Sequence, residues 1–294
     1  MSMKWWIYQK ERFPIFQHGP LVLAFSACAV CYSALITNTP VELFSICIAF
    51  VTCLFFFLQL RIADEFKDAK EDAQYRPYRP VPRGLVSLKE LGIVFVLSAG
   101  IQLLLALYFF PTLVVILLIA WAYLALMSAE FFVRDWLKSR PITYLWTHML
   151  IMPLVDLYAT ACQWMPMGEK PLAALSLFLI ASFFNGIVIE IGRKLRLPDC
   201  EEEGVPTYSK LWGLSKAAWI WFGCLCTTGL FATAAAHYIR WSTQVICVLT
   251  PLIIIALVLT VRSSRTTQKT FETLSGIWTM CLYLILGVIP FFVQ

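Results

Sequence analysis

Long apolar runs dominate the sequence and constrain its fold more than any other feature. A helix needs about 20 largely apolar residues to cross a bilayer, with a usual range of about 17–25. Nine such runs follow one another, at residues 20–38, 42–62, 89–110, 112–132, 141–162, 171–192, 214–236, 243–261 and 272–292. Prolines and charged residues separate them. The pattern predicts an all-α integral membrane protein with nine transmembrane helices.

The composition excludes a soluble domain. Hydrophobic residues make up 60% of the 294 residues, charged residues make up only 14%, and the mean hydropathy is +0.75. In soluble proteins roughly half the residues are apolar, and so little charge would leave this chain's apolar surface uncovered. The lipid bilayer is therefore the expected partner. The net charge of +5 then says little about nucleic acid, because in a membrane protein the positions of the charges matter more than their sum. No nucleic-acid partner is expected.

The basic residues indicate which way the chain crosses the membrane. With a cytoplasmic N-terminus and nine alternating spans, 21 of the 23 Lys and Arg residues fall on the cytoplasmic side, and only Lys170 and Arg240 fall on the other. Cytoplasmic loops typically carry this excess of basic residues. The bias predicts a cytoplasmic N-terminus, and it places the two longest connections, residues 63–88 and 193–213, on the cytoplasmic side.

The connection 63–88 contains regularly spaced aspartates. Asp64, Asp68 and Asp72 are four residues apart, so a helix continuing past the second span carries them on one face. Like charges at this spacing weaken a helix slightly, and topology alone does not require them. Mg²⁺ binds one or two carboxylates and completes its shell with water and substrate phosphate oxygens. The spacing therefore predicts a Mg²⁺ site with these three aspartates as ligands.

A proline-rich segment with three arginines follows the aspartates. Residues Tyr75–Gly84 read YRPYRPVPRG, in which the prolines restrict the backbone. Arg76, Arg79 and Arg83 offer forked donors that match the geometry of phosphate. Carboxylates for Mg²⁺ beside a stiff arginine loop predict a diphosphate site. The simpler interpretation is a positive-inside loop whose acids only balance its charge.

Residues Asp64–Asp72, DEFKDAKED, resemble the first Asp-rich motif of the UbiA superfamily of intramembrane prenyltransferases, N-D-x-x-D-x-x-x-D. Asp64 stands where that motif has Asn, and Glu65 stands where it has Asp. The downstream YRPVPRG resembles the family's N-R-P-L-P-S-G. The resemblance implies a single domain over residues 1–294, with nine helices around a central cavity and an active-site cap formed by the two long connections.

The resemblance also implies a second Asp-rich motif, D-x-x-x-D-x-x-x-G-x-x-T, which ends the sixth helix and enters its loop. Glu190 stands at the first position of this motif and is an expected metal ligand, whereas Lys194 stands at the second. About six residues are inserted before Gly204 and Thr207, which match the end of the motif. The second half of the site therefore departs from the family pattern more than the first.

Two interpretations of this departure are open. In the first, Asp199 and Glu203 supply the missing carboxylates as further metal ligands. In the second, Lys194 contacts the diphosphate directly and one metal is bound less fully. In both, Arg193 and Lys194 help to neutralise the departing diphosphate. Glu201 is expected to be solvated.

Lys138 and Asp156 complete the candidate catalytic residues. Lys138 lies in the loop between spans four and five, where the family has a basic residue near the diphosphate; a positive-inside anchor is the alternative. Asp156 lies eight residues after His148 within span five, and ionisable groups at membrane depth usually face a cavity or a partner. It suits a position beside the acceptor or the carbocation, and a structural hydrogen bond is the alternative. Glu130 and Asn185 carry the same two interpretations.

The resemblance implies a Mg²⁺-dependent enzyme that ionises an isoprenyl diphosphate and transfers the prenyl group to an aromatic or quinone-precursor acceptor. A terpene cyclase of the same superfamily is the alternative, in which the substrate's own double bonds capture the cation. A cation transporter is a more distant alternative. It predicts functional acids near the bilayer midplane, whereas the strongest acidic cluster lies at the membrane boundary.

Overall fold

The computed structural model describes residues 3–170 and 173–294, and the described residues form helices without any β-strand. The all-α prediction is therefore confirmed. The helices in chain order are α1 (Met3–Arg12), α2 (Ile15–Thr37), α3 (Leu43–Lys67), α4 (Ala69–Tyr75), α5 (Leu88–Phe109), α6 (Leu113–Ser128), α7 (Arg134–Lys138), α8 (Pro141–Met149), α9 (Ile151–Trp164), α10 (Ala173–Gly192), α11 (Tyr208–Trp212), α12 (Leu214–His237), α13 (Ser242–Val261), α14 (Gln268–Tyr283) and α15 (Ile289–Val293). A π-helical turn, Leu284–Val288, joins α14 to α15.

Eight helical segments of the described chain are long and apolar enough to cross a membrane. Six of them are single helices, α8 and α9 form one together as Pro141–Trp164, and α14 and α15 form another as Gln268–Val293. In the fourth predicted span, 112–132, the α-helix α6 covers only 16 residues. At about 1.5 Å per residue, it is about 24 Å long. The structure thus has eight full-length candidate spans and one shorter apolar helix. The sixth predicted span starts at residue 171, and its first two residues lie outside the described residues.

The shortness of α6 has a local cause. Glu130, Phe131 and Phe132 have φ angles of 49°, 52° and 60°, a left-handed region that non-glycine residues seldom adopt. The chain leaves the helix at this point and turns into α7. The turn places Glu130 beside Arg134, with 3.2 Å between its Oε2 and the arginine Nε.

Burial separates the inner helices from the outer ones. In the most apolar 18-residue window, more than half of the residues are buried in α2, α10 and the α8–α9 segment, whereas only 22% are buried in α5 and in α13. The inner helices approach closely at small residues. A Cβ atom on Gly287, in the π-helical turn, would lie 2.4 Å from the carbonyl oxygen of Cys28 in α2. Only glycine permits this contact.

We call the end of the bundle that carries segments 63–88, 134–140 and 193–213 the charged end. Helix α1 lies across it and packs against segment 63–88 from outside. An apolar cluster and three ion pairs hold it there: Tyr8 with Ile62, Val86 and Leu91, and the pairs Lys4–Glu90, Arg12–Glu65 and Arg83–Glu11.

Candidate active site

The predicted aspartates lie where α3 meets α4. Asp64 is in the last turn of α3, Asp68 is at the junction, and Asp72 is in α4. The amide of Asp68 bonds to the carbonyl of Asp64 at 2.9 Å, and the amide of Asp72 bonds to the carbonyl of Asp68 at 2.8 Å. The four-residue helical repeat therefore continues through the bend at Asp68, and the aspartates follow one another by one turn each.

Asp72 is buried and holds two of the predicted diphosphate-binding residues. Its carboxylate oxygens lie 2.6 Å from Nη2 of Arg76 and 2.7 Å from Nη1 of Arg79. Hydrogen bonds between ionised partners are among the stronger ones in proteins. Asp72 thus positions both guanidinium groups, and its oxygens are less available to a metal than its spacing predicts.

Asp64 and Asp68 have weaker contacts with neighbouring cations than Asp72 has. The closest cations to Asp64 are Lys67 Nζ at 3.5 Å and Arg61 Nη1 at 3.6 Å. Burial raises the pKa of Asp68 above its usual value; Lys67 opposes this shift, and three neighbouring acids, led by Asp64, add to it. Carboxylates crowded in this way favour a divalent cation between them. These two residues fit Mg²⁺, which needs only one or two protein carboxylates.

The structure does not assemble a complete protein cage for a metal. Within residues 3–170 and 173–294, no group of three His, Cys, Asp or Glu side chains is arranged to hold a metal ion. A Mg²⁺ ion bound by Asp64 and Asp68 would therefore take its other ligands from water and from substrate phosphate.

The second half of the site centres on Glu190, near the end of α10. Its Oε1 lies 2.7 Å from Nζ of Lys194, and its Oε2 accepts a 2.7 Å bond from Nε of Arg193 and also contacts Nη2 of that residue. Glu190 raises the pKa of Arg193 against the opposing effect of burial, and Asp64 raises it further. Arg193 therefore lies within electrostatic reach of both halves of the site.

The acids of connection 193–213 are arranged differently from the prediction. Asp199 and Glu203 are exposed, and the described residues do not bring them into a cluster with Glu190. The expectation that Glu201 is solvated is wrong, because its carboxylate accepts 2.7 Å bonds from the hydroxyls of Thr207 and Ser209. Glu201 therefore stabilises the connection internally, whereas the two proposed ligands face outward.

The two long connections touch each other. The ring of Tyr75, at the end of α4, packs on Gly204. A Cβ atom on Gly204 would lie 2.2 Å from Cγ of that ring, and the φ angle of Gly204 is +69°. The contact joins the two segments that were expected to form the cap.

Lys138 lies beside the aspartate segment. Its Nζ is 2.9 Å from Oε1 of Glu71 in α4, and Nη2 of Arg134 lies 2.9 Å from the same oxygen. Burial acts to raise the pKa of Glu71, but two cations lower it by more, so the pKa lies below its usual value. Lys138 acts through a hydrogen bond and its charge, and Arg134 acts through its charge. The predicted basic residue is thus near the site, held by an acid that the sequence did not single out.

Two residues of the predicted motifs face α1 instead of the site. Arg83 donates a 2.8 Å bond to Glu11. Glu65, which stands at the position of the family's Asp, is buried and pairs with Arg12. Both contacts come from a helix that precedes the first predicted span, and the family motifs do not include it.

Three aromatic residues between the two halves were not assigned to the site from the sequence. Tyr144 Oη accepts a 3.0 Å bond from Lys67 Nζ, and its ring stacks on His148 with 3.9 Å between centroids. Lys194 Nζ lies 5.7 Å over the ring of Tyr208. Tyr144 and His148 are four residues apart, so they share one face of a helix. Their position just after a basic loop was the sequence signal that could have assigned them to the site.

Asp156 lies apart from this cluster, inside the bundle. It is fully buried, and neither of its oxygens has a hydrogen-bond partner among the described residues. The hydroxyl of Ser182, which adjoins it, is likewise without a partner there. Nearby, Asn185 donates a 3.3 Å bond to Tyr283. The adjoining hydroxyl of Ser182 is therefore the candidate donor for a structural bond to Asp156.

Two open grooves are lined by residues other than these polar groups. One of about 440 Å³ runs between α13 and α14, and one of about 300 Å³ lies beside residues 204–211. In the core of the bundle, aromatic side chains such as Phe25, Phe56 and Tyr158 are fully or almost fully buried. Neither groove corresponds to the expected central cavity.

Comparisons with known proteins agree on the fold. The model of the UbiA prenyltransferase family matches residues 19–289. A comparison with the curated proteins found no match. The apo structure of a UbiA homolog from Aeropyrum pernix K1 has a TM-score of 0.70 and 12% identity, over 94% of this chain and 97% of that one.

Two further solved structures share the fold. One concerns digeranylgeranylglyceryl phosphate synthase, with a TM-score of 0.59 and 15% identity over 94% of this chain and 97% of that one. The other is a UbiA homolog from Archaeoglobus fulgidus bound to DMAPP and Mg²⁺, with a TM-score of 0.56 and 12% identity over 92% of this chain and 99% of that one. At these identities the likeness extends to the fold alone.

Proposed function

The chain belongs to the UbiA prenyltransferase family, and we propose that it is a Mg²⁺-dependent membrane enzyme that ionises an isoprenyl diphosphate and transfers the prenyl group to an aromatic or quinone-precursor acceptor. The main support is a carboxylate pair that faces two sets of anchored cations at the charged end. The residues are Asp64 and Asp68, then Arg76 and Arg79 on Asp72, and Arg193 and Lys194 on Glu190. A structure of the same fold contains an isoprenyl diphosphate, DMAPP, with Mg²⁺.

These cations suit the departing group. When the allylic C–O bond breaks, its electron pair stays on the diphosphate, whose oxygens gain negative charge. Arg76 and Arg79, held in place by Asp72, offer forked donors to those oxygens. Mg²⁺ held by Asp64 and Asp68 would supply Lewis-acid stabilisation of the same charge. Because the donors are positioned before the reaction, they need little reorganisation as the charge develops.

His148 suits the proton transfer that completes prenylation of a ring. When the prenyl carbon bonds to a ring carbon, that carbon must lose its proton. Nδ1 of His148 lies 2.8 Å from the carbonyl oxygen of Tyr144; a carbonyl can only accept, so Nδ1 carries the hydrogen. In the neutral ring Nε2 is then the acceptor, and it has no partner among the described residues. We assign it the ring proton.

The buried carboxyl of Asp156 favours the alternative, a terpene cyclase. Asp156 follows Tyr144 by 12 residues in the Pro141–Trp164 segment, a rise of about 18 Å. A carboxylate at this depth faces the far end of a prenyl chain rather than its first carbon. After a distal double bond attacks the first carbon, the cation lies at that end. In its ionised form, Asp156 would take a proton from a neighbouring carbon to form a new double bond. Tyr283 lies near Asp156, and its ring packs edge-on against that of Phe25 with 5.3 Å between centroids. Aromatic rings of this kind can stabilise a cation through their π faces.

Family membership supports an enzyme rather than a cation transporter. The deciding experiment incubates the purified protein with geranyl, farnesyl and geranylgeranyl diphosphates and Mg²⁺, with and without a panel of phenolic acceptors. Product analysis by mass spectrometry is expected to show a prenylated ring only when an acceptor is present. A cyclic hydrocarbon formed without acceptor would replace the transferase by the cyclase. No turnover under any condition would contradict both.

A further inference from the structure

Glu190 has no free oxygen for a metal. Lys194 occupies Oε1 at 2.7 Å, and Arg193 occupies Oε2 through Nε at 2.7 Å and through Nη2. A metal ligand must present a lone pair to the ion at about 2.0–2.1 Å for Mg²⁺. Binding a metal here would displace both cations from a carboxylate that is largely buried, and breaking such a pair is costly.

The other acids of this half cannot take the place of Glu190. Asp199 and Glu203 are exposed, and the described residues hold no metal-binding group of three acidic, histidine or cysteine side chains. Glu201 is bound by two hydroxyl groups within its own connection. Of the two interpretations open from the sequence, the one that needs Asp199 and Glu203 as ligands therefore loses its support.

We propose that Arg193 and Lys194 take over the task of a second Mg²⁺ in this chain, so that a diphosphate is held by one Mg²⁺ at Asp64 and Asp68 and by these two side chains. The inference rests on the proposed function, because it concerns the same diphosphate. Together with Glu190 the two cations leave one net positive charge at this half of the site. Arg193 offers a planar fork that fits phosphate, and Lys194 offers a compact charge on a flexible stem.

The backbone around Arg193 is fixed before any ligand binds. Gln268, at the start of α14, donates a 2.9 Å bond to the carbonyl of Arg193. Just before it, a Cβ atom on Gly192 would lie 2.2 Å from Oγ of Ser275 in α14, so glycine allows α10 to end directly against α14. The carbonyl end of a helix carries partial negative charge and disfavours an anion. Cationic side chains are therefore needed at this end of α10 if a diphosphate is to bind beside it.

The first test counts metal ions in the wild-type protein and in the variant Glu190→Gln. Mn²⁺ is titrated into the full chain with the non-ionising analogue farnesyl thiolodiphosphate, and bound Mn²⁺ is counted by electron paramagnetic resonance. We expect one Mn²⁺ per chain, and still one in Glu190→Gln. Two ions in the wild type, with one lost in Glu190→Gln, would overturn the proposal.

The second test measures diphosphate binding without metal. In EDTA, calorimetry with inorganic pyrophosphate is expected to show binding that Lys194→Ala and Arg193→Ala each weaken by about tenfold or more, the usual effect of losing a charge-assisted hydrogen bond. Lys194→Arg should retain most of it. Lys216→Ala removes an exposed lysine from the start of α12 and serves as the matched control, with unchanged binding. Wild-type affinity in the Lys194→Ala and Arg193→Ala variants, with folding confirmed by size exclusion, would overturn the proposal.

The two proposals fail in different ways. Prenyl products formed by a protein that binds two Mn²⁺ would overturn this inference and leave the proposed function standing. One Mn²⁺ and cation-dependent pyrophosphate binding, with no product from any isoprenyl diphosphate, would support the inference and overturn the proposed function.

Discussion

Three acids at the charged end hold two cations each. Asp72 holds Arg76 and Arg79, Glu190 holds Arg193 and Lys194, and Glu71 holds Arg134 and Lys138. Asp64 has cations only at 3.5 and 3.6 Å. The pKa of Asp68 is raised, first by burial and then by three neighbouring acids, while Lys67 opposes the shift. At the scale of single residues, equally spaced aspartates therefore have different tasks.

This difference predicts distinct effects for two matched substitutions. Asp68→Asn removes a proposed metal ligand, so Mn²⁺ affinity is expected to fall by about tenfold or more, since losing a charged partner costs about 1.5–3 kcal/mol. Asp72→Asn leaves the metal site intact but releases Arg76 and Arg79, so KM for the isoprenyl diphosphate is expected to rise with little change in Mn²⁺ affinity. Mn²⁺ titration and steady-state kinetics check both. Equal loss of Mn²⁺ affinity in the two variants would contradict the division of tasks.

His148 and Asp156 separate transferase from cyclase by mutation. If Nε2 of His148 accepts the ring proton, His148→Gln should lower kcat by about a hundredfold or more, with KM for the diphosphate nearly unchanged. Asp156→Asn should then have a small effect on kcat. In a cyclase, Asp156→Asn should instead lower kcat for formation of a cyclic product, and His148→Gln should have a small effect. The size-exclusion profile of each variant provides the control for folding.

Asp156 is also expected to cost the protein stability. Asp156 is fully buried and the adjoining hydroxyl of Ser182 makes no well-aligned bond to it, so its desolvation penalty, about 1–3 kcal/mol or more for a polar group, is not fully compensated. Asp156→Leu, which keeps a similar volume, should therefore raise Tm in detergent while impairing whichever reaction uses the carboxyl. A lower Tm in this variant would show that Asp156 has a structural partner.

At the scale of elements, the site depends on how the two connections meet. Segment 63–88 is held from outside by α1 and from the other side by the packing of Tyr75 on Gly204. Segment 193–213 begins at the fixed end of α10 and is held together by Glu201. The two cation sets therefore lie on segments that touch each other.

Two glycine substitutions test this contact. Gly204→Ala is expected to destabilise the protein, because its φ of +69° costs an L-residue about 1–2 kcal/mol and its Cβ would collide with Tyr75. Activity should fall with it as the connections separate. Gly223→Ala adds the same methyl group to an open position in α12 and is expected to raise stability by about 0.5–1 kcal/mol. Thermal unfolding of both variants checks the prediction, and equal Tm values for the two would contradict it.

At the scale of the whole molecule, the charge bias predicts that the charged end faces the cytoplasm. Cys200 is exposed at that end. A membrane-impermeant maleimide is therefore expected to label Cys200 in inside-out vesicles and not in intact cells, as read by peptide mass spectrometry. A Lys170→Cys variant carries a thiol at the opposite end and should give the reverse pattern. Labelling of Cys200 in intact cells would invert the predicted topology.

The sequence by itself determined the membrane helices, the family and the positions of Asp64, Asp68 and Asp72. These features depend on local periodicity: apolar runs long enough to cross a bilayer, and a four-residue spacing that one helix carries on one face. Helix α6 is shorter than the predicted span because three consecutive residues after it have a left-handed backbone conformation. Hydropathy does not predict such a conformation.

Only the tertiary structure decided which charges meet. Glu65 pairs with Arg12, Arg83 with Glu11, and Glu71 with Lys138, across 53, 72 and 67 residues of chain. The arginine-rich loop offered Arg83 to the diphosphate, and Glu65 stands where the family motif has Asp. Packing turned both toward α1. An ion pair depends on where two segments come together and on how much water they exclude, and neither quantity has a local pattern in the sequence.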